Sequence, residues 1–199
     1  MRAVPALRPL LAVLALAIAV ALPSGSLSAQ NDGELFTSFA INMNAGPGPN
    51  TATLDIKIDR WSSDADRERL LGILREQKDV HRANQELLRA LQRMPKVGYL
   101  RTTKTLAWDL RYARQNPLPE GGRQIVLGTD RPVGFWEARN QPRTMDYPFT
   151  VIEMRLNKED RGEGKLLAGT KLYIDKNNNL VLENYGIQPV MLNEIKKLK

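Results

Sequence analysis

Carboxylates on the predicted strands are the residues whose type and spacing come closest to enzyme chemistry. Acid–base hydrolysis of a glycosidic bond needs two Asp or Glu side chains several ångströms apart. Four candidates lie on or beside predicted strands: Asp109, Asp130, Glu137 and Glu153. Most have a basic neighbour, as Asp109 has Arg111 and Asp130 has Arg131. Cross-strand ion pairs on a solvated sheet face give the same pattern, so a carboxylate-based hydrolase is an alternative rather than the leading hypothesis.

Other catalytic and metal-binding patterns are weak or incomplete. His81 is the single histidine, and no GxSxG motif supplies a nucleophile for it. Residues 175–179 resemble a calcium loop, but Leu180 and Gly186 replace the glycine and glutamate that such a loop requires. The chain has no cysteine, which excludes thiol redox chemistry and zinc–thiolate sites. The sequence therefore predicts no catalytic residue, metal site or cofactor and favours a non-enzymatic protein.

Residues 129–149 form the densest cluster of aromatic, charged and proline residues in the chain. Long loops that combine aromatic and charged side chains are frequent ligand-binding elements. This segment supplies the candidate ligand-binding residues, which are Asp130, Arg131, Trp136, Glu137 and Tyr147. The alternative is that the aromatic side chains cover one end of the core while the charges solvate the loop.

The elements that position this loop follow from the hydrophobic period. Leu54, Ile56 and Ile58 alternate with polar residues, which is typical of a strand with one buried face. Similar alternation recurs from residue 97 onward, with short turns between the segments, so the strands are expected to pair sequentially and antiparallel. Residues 64–94 show helical spacing and predict a helical hairpin, with Ser63 as its N-cap. Residues 191–198 predict a short C-terminal amphipathic helix.

The expected fold class is therefore α+β: an antiparallel meander of about eight strands, strongly curved or barrel-like, with an inserted helical hairpin and a short C-terminal helix. Whether the sheet closes into a barrel stays open at this stage.

The first 29 residues have the pattern of a cleavable export signal. Arg2 and Arg8 precede an apolar run over residues 10–22, and small residues follow Pro23. The run is too short for a bilayer core, which needs about 20 apolar residues. We expect residues 1–29 to be removed and residues 30–199 to form a single domain that is periplasmic or extracellular, without stable insertion in the membrane.

The charge of the expected mature domain limits its partners. Without Arg2 and Arg8, 27 basic residues face 22 acidic ones, a formal charge of +5. Basic and acidic residues are interspersed, unlike the one-sided basic stripe of nucleic-acid-binding proteins. Nucleic acid is therefore not an expected partner, whereas anionic components of the cell envelope are compatible with this charge. The oligomeric state cannot be derived from the sequence.

Several segments together resemble a group of small exported bacterial proteins of unknown function. They are Arg60-Trp61-Ser62, the stretch DLRYA at 109–113, TDRPVGFWE at 129–137, DYPFT at 146–150 and Glu183-Asn184-Tyr185. The resemblance extends over nearly the whole mature chain. It implies one intact exported domain and supplies no activity or site residue.

Three functional hypotheses follow from these patterns. The leading one is an exported, non-enzymatic domain that binds a small apolar or amphipathic ligand or an envelope component. The second is a structural or protein-interaction module that docks through the helical hairpin. The third is the carboxylate-based hydrolase.

Overall fold

The computed structural model describes residues 33–43, 50–77, 79–103, 106–133, 148–168, 170–174, 180–184 and 189–198. All of them belong to one compact unit, Asn31–Lys199. The expected export signal at residues 1–29 and the calcium-like residues 175–179 lie outside the described residues.

The described chain forms ten strands and two helices. In order they are β1 (Glu34–Asn42), β2 (Asn50–Ile58), α1 (Asp64–Glu76), α2 (Val80–Arg93), β3 (Gly98–Thr102), β4 (Trp108–Pro117), β5 (Arg123–Thr129), β6 (Thr150–Leu156), β7 (Arg161–Ala168), β8 (Thr170–Ile174), β9 (Leu180–Asn184) and β10 (Val190–Leu198). Eight strands close into a barrel in the order β1-β10-β7-β6-β5-β4-β3-β2, and β8 pairs only with β9. All neighbouring strands are antiparallel. The expected α+β, antiparallel, barrel-like fold is confirmed.

Side chains fill the described part of the barrel interior. Period-two alternation turns one residue in two inward, as in Leu54, Ile56 and Ile58 of β2. The largest fully buried side chains all belong to this interior cluster: Phe36, Leu54, Ile56, Ile58, Leu100, Leu110, Ile125, Leu127, Ile152, Met154, Leu156 and Leu166. An eight-stranded barrel is narrow enough for its side chains to occupy the whole interior.

The two helices lie within the stretch 64–94 that was predicted to be helical, and they pack outside the barrel. Ser63 caps α1, because its Oγ accepts a hydrogen bond from the Asp66 amide at 3.1 Å while an Asp66 carboxylate oxygen accepts from the Ser63 amide at 3.0 Å. Leu87 and Leu91 of α2 pack with Val126 of β5 and Val151 of β6 in a second apolar cluster. These strands therefore bury both faces, one in the barrel and one under the helices.

The predicted C-terminal helix at 191–198 is wrong, because Val190–Leu198 is the strand β10 that closes the barrel against β1 and β7. A β-bulge caused the error. Glu194 has a φ of 53°, and the register shifts between Leu192 and Ile195. Both of these side chains point inward although they are three residues apart, and a three-residue spacing of apolar residues imitates a helix.

The two ends of the barrel differ in their connections. At one end, which we call the turn end, residues 118–122 join β4 to β5 and residues 157–160 join β6 to β7. The connection through α1 and α2 also leaves from this end. At the opposite end, the loop end, the connections follow β1, β3, β5 and β7. The segment 129–149, chosen from its composition, connects β5 to β6 there.

Candidate functional site

Two of the predicted ligand-binding residues are described at the loop end, and both have structural partners. Asp130 accepts a hydrogen bond of 2.8 Å from Nε of Arg111. The exposed Arg131 side chain donates to the Ala107 carbonyl at 3.4 Å. Trp136, Glu137 and Tyr147 lie outside the described residues, so their part in a site remains a prediction.

The base of the 129–149 loop is held by buried threonines. Thr129 Oγ1 accepts a hydrogen bond from the Thr150 amide at 2.9 Å and donates to the Arg131 carbonyl at 2.7 Å. Thr150 Oγ1 accepts from the Val133 amide at 3.0 Å. Both threonines are fully buried. This network fixes the two points where the loop leaves and rejoins the barrel.

The candidate catalytic carboxylates that are described are engaged in ion pairs. Asp109 lies 2.7 Å from Lys96 and 3.5 Å from Arg111, which also contacts Asp130. The hydrogen bond from Lys96 holds the pKa of Asp109 below its usual range, although partial burial opposes this shift. A general acid needs the opposite shift. Glu153 accepts a hydrogen bond from Gln124 at 2.8 Å.

A groove of about 760 Å³ crosses the outer face of β6 and β7 near the turn end. The strand register places Glu153 opposite Lys165 and Arg155 opposite Glu163 along this face. Opposite charges that face each other across a strand pair compensate one another. The groove therefore offers no excess charge for a ligand, and its open, polar lining does not suit an apolar one.

A smaller, apolar cleft separates the helices from the outer wall of the barrel. Its volume is about 60 Å³. The lining, which we call the helix–barrel cleft, consists of Arg67, Leu70, Leu71, Leu74, Leu87, Leu91, Tyr112, Val126, Leu127, Gly128, Phe149, Val151 and Leu172. Most of these side chains are aliphatic or aromatic, and the charged one is Arg67. The cleft thus combines an apolar interior with a cation at its rim.

Two features of the sequence leave this space open. Gly128 faces the cleft, and a Cβ at this position would lie 3.4 Å from Cβ of Tyr112 and 3.5 Å from Cδ2 of Leu91. The missing side chain therefore accounts for part of the space. Helix α1 covers the cleft lightly, because Leu71 is its one fully buried residue, whereas α2 buries five.

Tyr112 and Arg67 belong to the lining of the cleft, and Arg114 lies two residues beyond Tyr112 on β4. Burial raises the pKa of Tyr112; the charges of Arg114 and Arg67 oppose this shift, whereas those of Asp66 and Asp64 add to it. Arg114 forms an ion pair of 2.7 Å with Asp64, but its Nε is buried and has no hydrogen-bond partner among the described residues. Arg67 contacts Glu68 at 2.6 Å, and Glu68 also binds Arg75. Arg67 and Arg114 are thus cations beside the cleft, each with a carboxylate partner.

Sequence reasoning did not find this cleft. Val126, Gly128 and Val151 lie on the outer faces of β5 and β6, and none of them was among the predicted binding residues. The sequence did contain an indication of the cleft, because β5 and β6 carry apolar residues on both faces. Strands that are buried on both sides form nearly continuous apolar runs. The pairing of Tyr112 with Gly128 across β4 and β5 requires the register, which one sequence does not reveal.

Comparisons with known proteins found no similar protein. No protein-family model, curated protein or solved structure matches the chain. Among the described residues, no group of three or more His, Cys, Asp or Glu is placed to hold a metal ion. The helices in the described part of the chain are too short or too polar to span a membrane.

Proposed function

We propose that this protein is an exported, non-enzymatic domain that binds a small amphipathic molecule with an acidic head group in the helix–barrel cleft. The observation that carries the proposal is the apolar cleft with Arg67 at its rim, beside a barrel whose described interior is already filled. Ligand sites usually combine an apolar lining with a few convergent polar groups.

The two ends of such a ligand match the two parts of the cleft. An alkyl or aryl tail would contact Leu74, Leu91 and Phe149 and gain about 25 cal/mol for each Å² of apolar surface removed from water. An acidic head at the rim would accept a hydrogen bond from Arg67, the charged residue of the lining. A charged head is favoured there because charge-assisted hydrogen bonds are about twice as strong as neutral ones.

The cleft must widen to admit a tail. Its volume of about 60 Å³ equals roughly two water molecules in the liquid. Helix α1 is the element expected to move, since Leu70, Ile73 and Leu74 are only partly buried. The pairing of the two helices as a hairpin, which the sequence predicted, would let α1 swing while α2 stays packed on β5 and β6.

Calorimetric titration with three ten-carbon ligands tests the proposal: decanoate, decanol and decyltrimethylammonium. Decanoate is expected to bind best. Arg67→Gln should lower the affinity for decanoate by about tenfold, because loss of one charge-assisted hydrogen bond costs about 1.5 kcal/mol. The affinity for decanol should stay nearly unchanged. Gly128→Val should lower the affinity for all three ligands, because the added side chain would enter the cleft. The control Arg89→Gln removes the same charge from an exposed position on α2 and should change nothing.

Two results would contradict the proposal. Failure of all three ligands to bind would exclude an amphiphile site. Equal affinity for decanoate and decyltrimethylammonium, or equal weakening by Arg67→Gln and Arg89→Gln, would exclude recognition of an acidic head at this rim.

The two alternative functions receive less support. The apolar side chains of α2 face the barrel, so the described helix surface offers little apolar area for docking a protein. For the hydrolase, Asp109 and Asp130 share Arg111, while Glu153 lies on the separate groove of β6 and β7. Export itself is proposed from residues 1–29 alone.

A further inference from the structure

The outer wall formed by β1 and β10 carries an exposed apolar stripe. The side chains of this β1–β10 stripe are Leu35, Phe39, Ile41, Met43, Met191 and Leu198. Leu35 lies directly opposite Leu198 in the strand register, and Ile41 lies opposite Met191. From Leu35 to Met43 the stripe extends about 26 Å at roughly 3.3 Å per residue.

Three side chains of this stripe are largely exposed to solvent. The exposed fraction is 42% for Phe39, 60% for Met43 and 37% for Leu198. Apolar residues on the outer face of β5 and β6 are covered by α2, but β1 lies four strands from β5 in either direction around the barrel. The stripe is thus on the side of the barrel opposite to the helices. Thr37, Lys196 and Asn193 lie between the apolar side chains in the register, and apolar side chains exposed among polar residues mark an interaction surface.

Charge distinguishes between possible occupants of the stripe. Cations border it on both sides: Lys57 on β2, Lys196 on β10 and Arg161 on β7. None of the three belongs to an ion pair within the described residues, whereas Asp55 on β2 is paired with Arg101 at 3.2 Å. Lys165 and Glu163 of β7 face opposite charges on β6, so Glu194 is the remaining exposed acid nearby in the described part of the chain. The border therefore has an excess of two positive charges.

We infer that the β1–β10 stripe docks onto the surface of an anionic lipid bilayer. Phe39 and Met43 enter the boundary between head groups and acyl chains, while the lysines contact lipid phosphates. Interfacial binding combines these two contributions, buried apolar area and attraction to anionic lipids. A second copy of the chain fits less well, because two stripes brought face to face would bring their cationic borders together.

Co-sedimentation with vesicles tests this inference on the mature domain. Vesicles of phosphatidylcholine alone are compared with vesicles containing 30 mol% phosphatidylglycerol. Binding is expected only to the anionic vesicles and should weaken as salt rises. Phe39→Thr with Met43→Thr should lower the partition coefficient by about tenfold or more. Thr suits position 39, since Phe39 already pairs with Thr53 and strands favour β-branched residues; Met43 follows the end of β1 and is 60% exposed.

Charge variants provide the matched control. Lys57→Gln with Lys196→Gln should weaken vesicle binding by roughly thirtyfold, at about 1 kcal/mol per lysine. Arg89→Gln with Arg93→Gln removes the same charge from exposed positions of α2 on the opposite side and should have little effect. Decanoate binding in the cleft should persist in the Phe39/Met43 variant, so the two proposals can fail separately.

Three outcomes would overturn the inference. One is absence of binding to anionic vesicles. Another is an equal loss of binding in the β1–β10 and α2 charge variants. The third is a wild-type protein that is dimeric in analytical ultracentrifugation while the Phe39/Met43 variant is monomeric, because a second copy would then occupy the stripe.

Discussion

Arginine side chains tie together elements at both ends of the barrel. At the turn end, Arg123 lies 2.9 Å from Glu34 and 2.7 Å from Asp160, and its guanidinium stacks 5.7 Å from the ring centre of Phe36. At the loop end, Arg111 holds Asp130 and Asp109. The planar, multidentate guanidinium suits such shared contacts better than an ammonium group does. These residues hold the framework together and are not free to bind ligands.

Replacing Arg123 should therefore be costly. Arg123→Met removes the guanidinium beside Glu34, whose side chain is 14% exposed and would keep Lys197, at 2.8 Å, as its remaining cationic partner among the described residues. The expected loss is about 2 kcal/mol in the free energy of unfolding, measured by urea denaturation. Arg155→Met is the matched control, since the Arg155 side chain is 58% exposed and its contacts are 3.8 Å long. A loss of equal size in both variants would contradict a special role for Arg123.

Tyr112 should make stability fall at alkaline pH. Because burial raises the pKa of Tyr112, the unfolded chain releases this proton near pH 10 while the folded chain retains it. Stability is then complete below about pH 10 and decreases as pH rises through the folded pKa. Urea denaturation of wild type and Tyr112→Phe at pH 8 and pH 11 should show a steeper loss in the wild type. An equal loss of stability in the two proteins would mean that Tyr112 has the same pKa in the folded and the unfolded chain.

At the level of elements, the regular parts of the chain were predictable and the irregular parts were not. Strand β2 and helix α2 follow strict periods, and the capping box of Ser63 with Asp66 was visible in the sequence. Strand β10 was missed because its bulge at Glu194 breaks the alternation. The helix–barrel cleft was not predicted because it depends on which residues of β4, β5 and α2 become neighbours. These contacts are set by the tertiary structure and leave no periodic pattern in the sequence.

Paired substitutions in β10 distinguish a strand from a helix. Leu192 is fully buried inside the barrel, whereas Met191 lies on the outer wall. Leu192→Ala should cost about 2–5 kcal/mol in the free energy of unfolding, while Met191→Ala should cost less than about 1 kcal/mol. Chemical denaturation measures both. Similar losses for the two variants would argue against the alternation of a strand.

On the scale of the whole molecule, closure makes one cooperative unit of segments far apart in the chain. Strand β1 pairs with β2 on one side and with β10 on the other. A closed barrel has no unpaired edge at which strands could fray or pair with another chain. The β8–β9 hairpin lies outside this ring and should open more easily.

Hydrogen exchange followed by mass spectrometry tests closure directly. Amides of β1 and β10 in the register from Leu35 with Leu198 to Ile41 with Met191 should be protected nearly as well as those of β5 and β6. Amides of β8 and β9 should exchange sooner, through local opening. Early exchange throughout β10, ahead of the β8–β9 hairpin, would show that the barrel is open in solution.

The pairing of the first strand with the last also affects how the chain acquires its structure during biosynthesis. Leu35 cannot meet Leu198 until the ribosome has reached residue 198, at about 5–20 residues per second. Contacts between such distant positions give a high contact order, which slows folding. Until β10 has been synthesised, β1 has a partner on one side only, so the nascent chain exposes a strand edge that the finished barrel lacks.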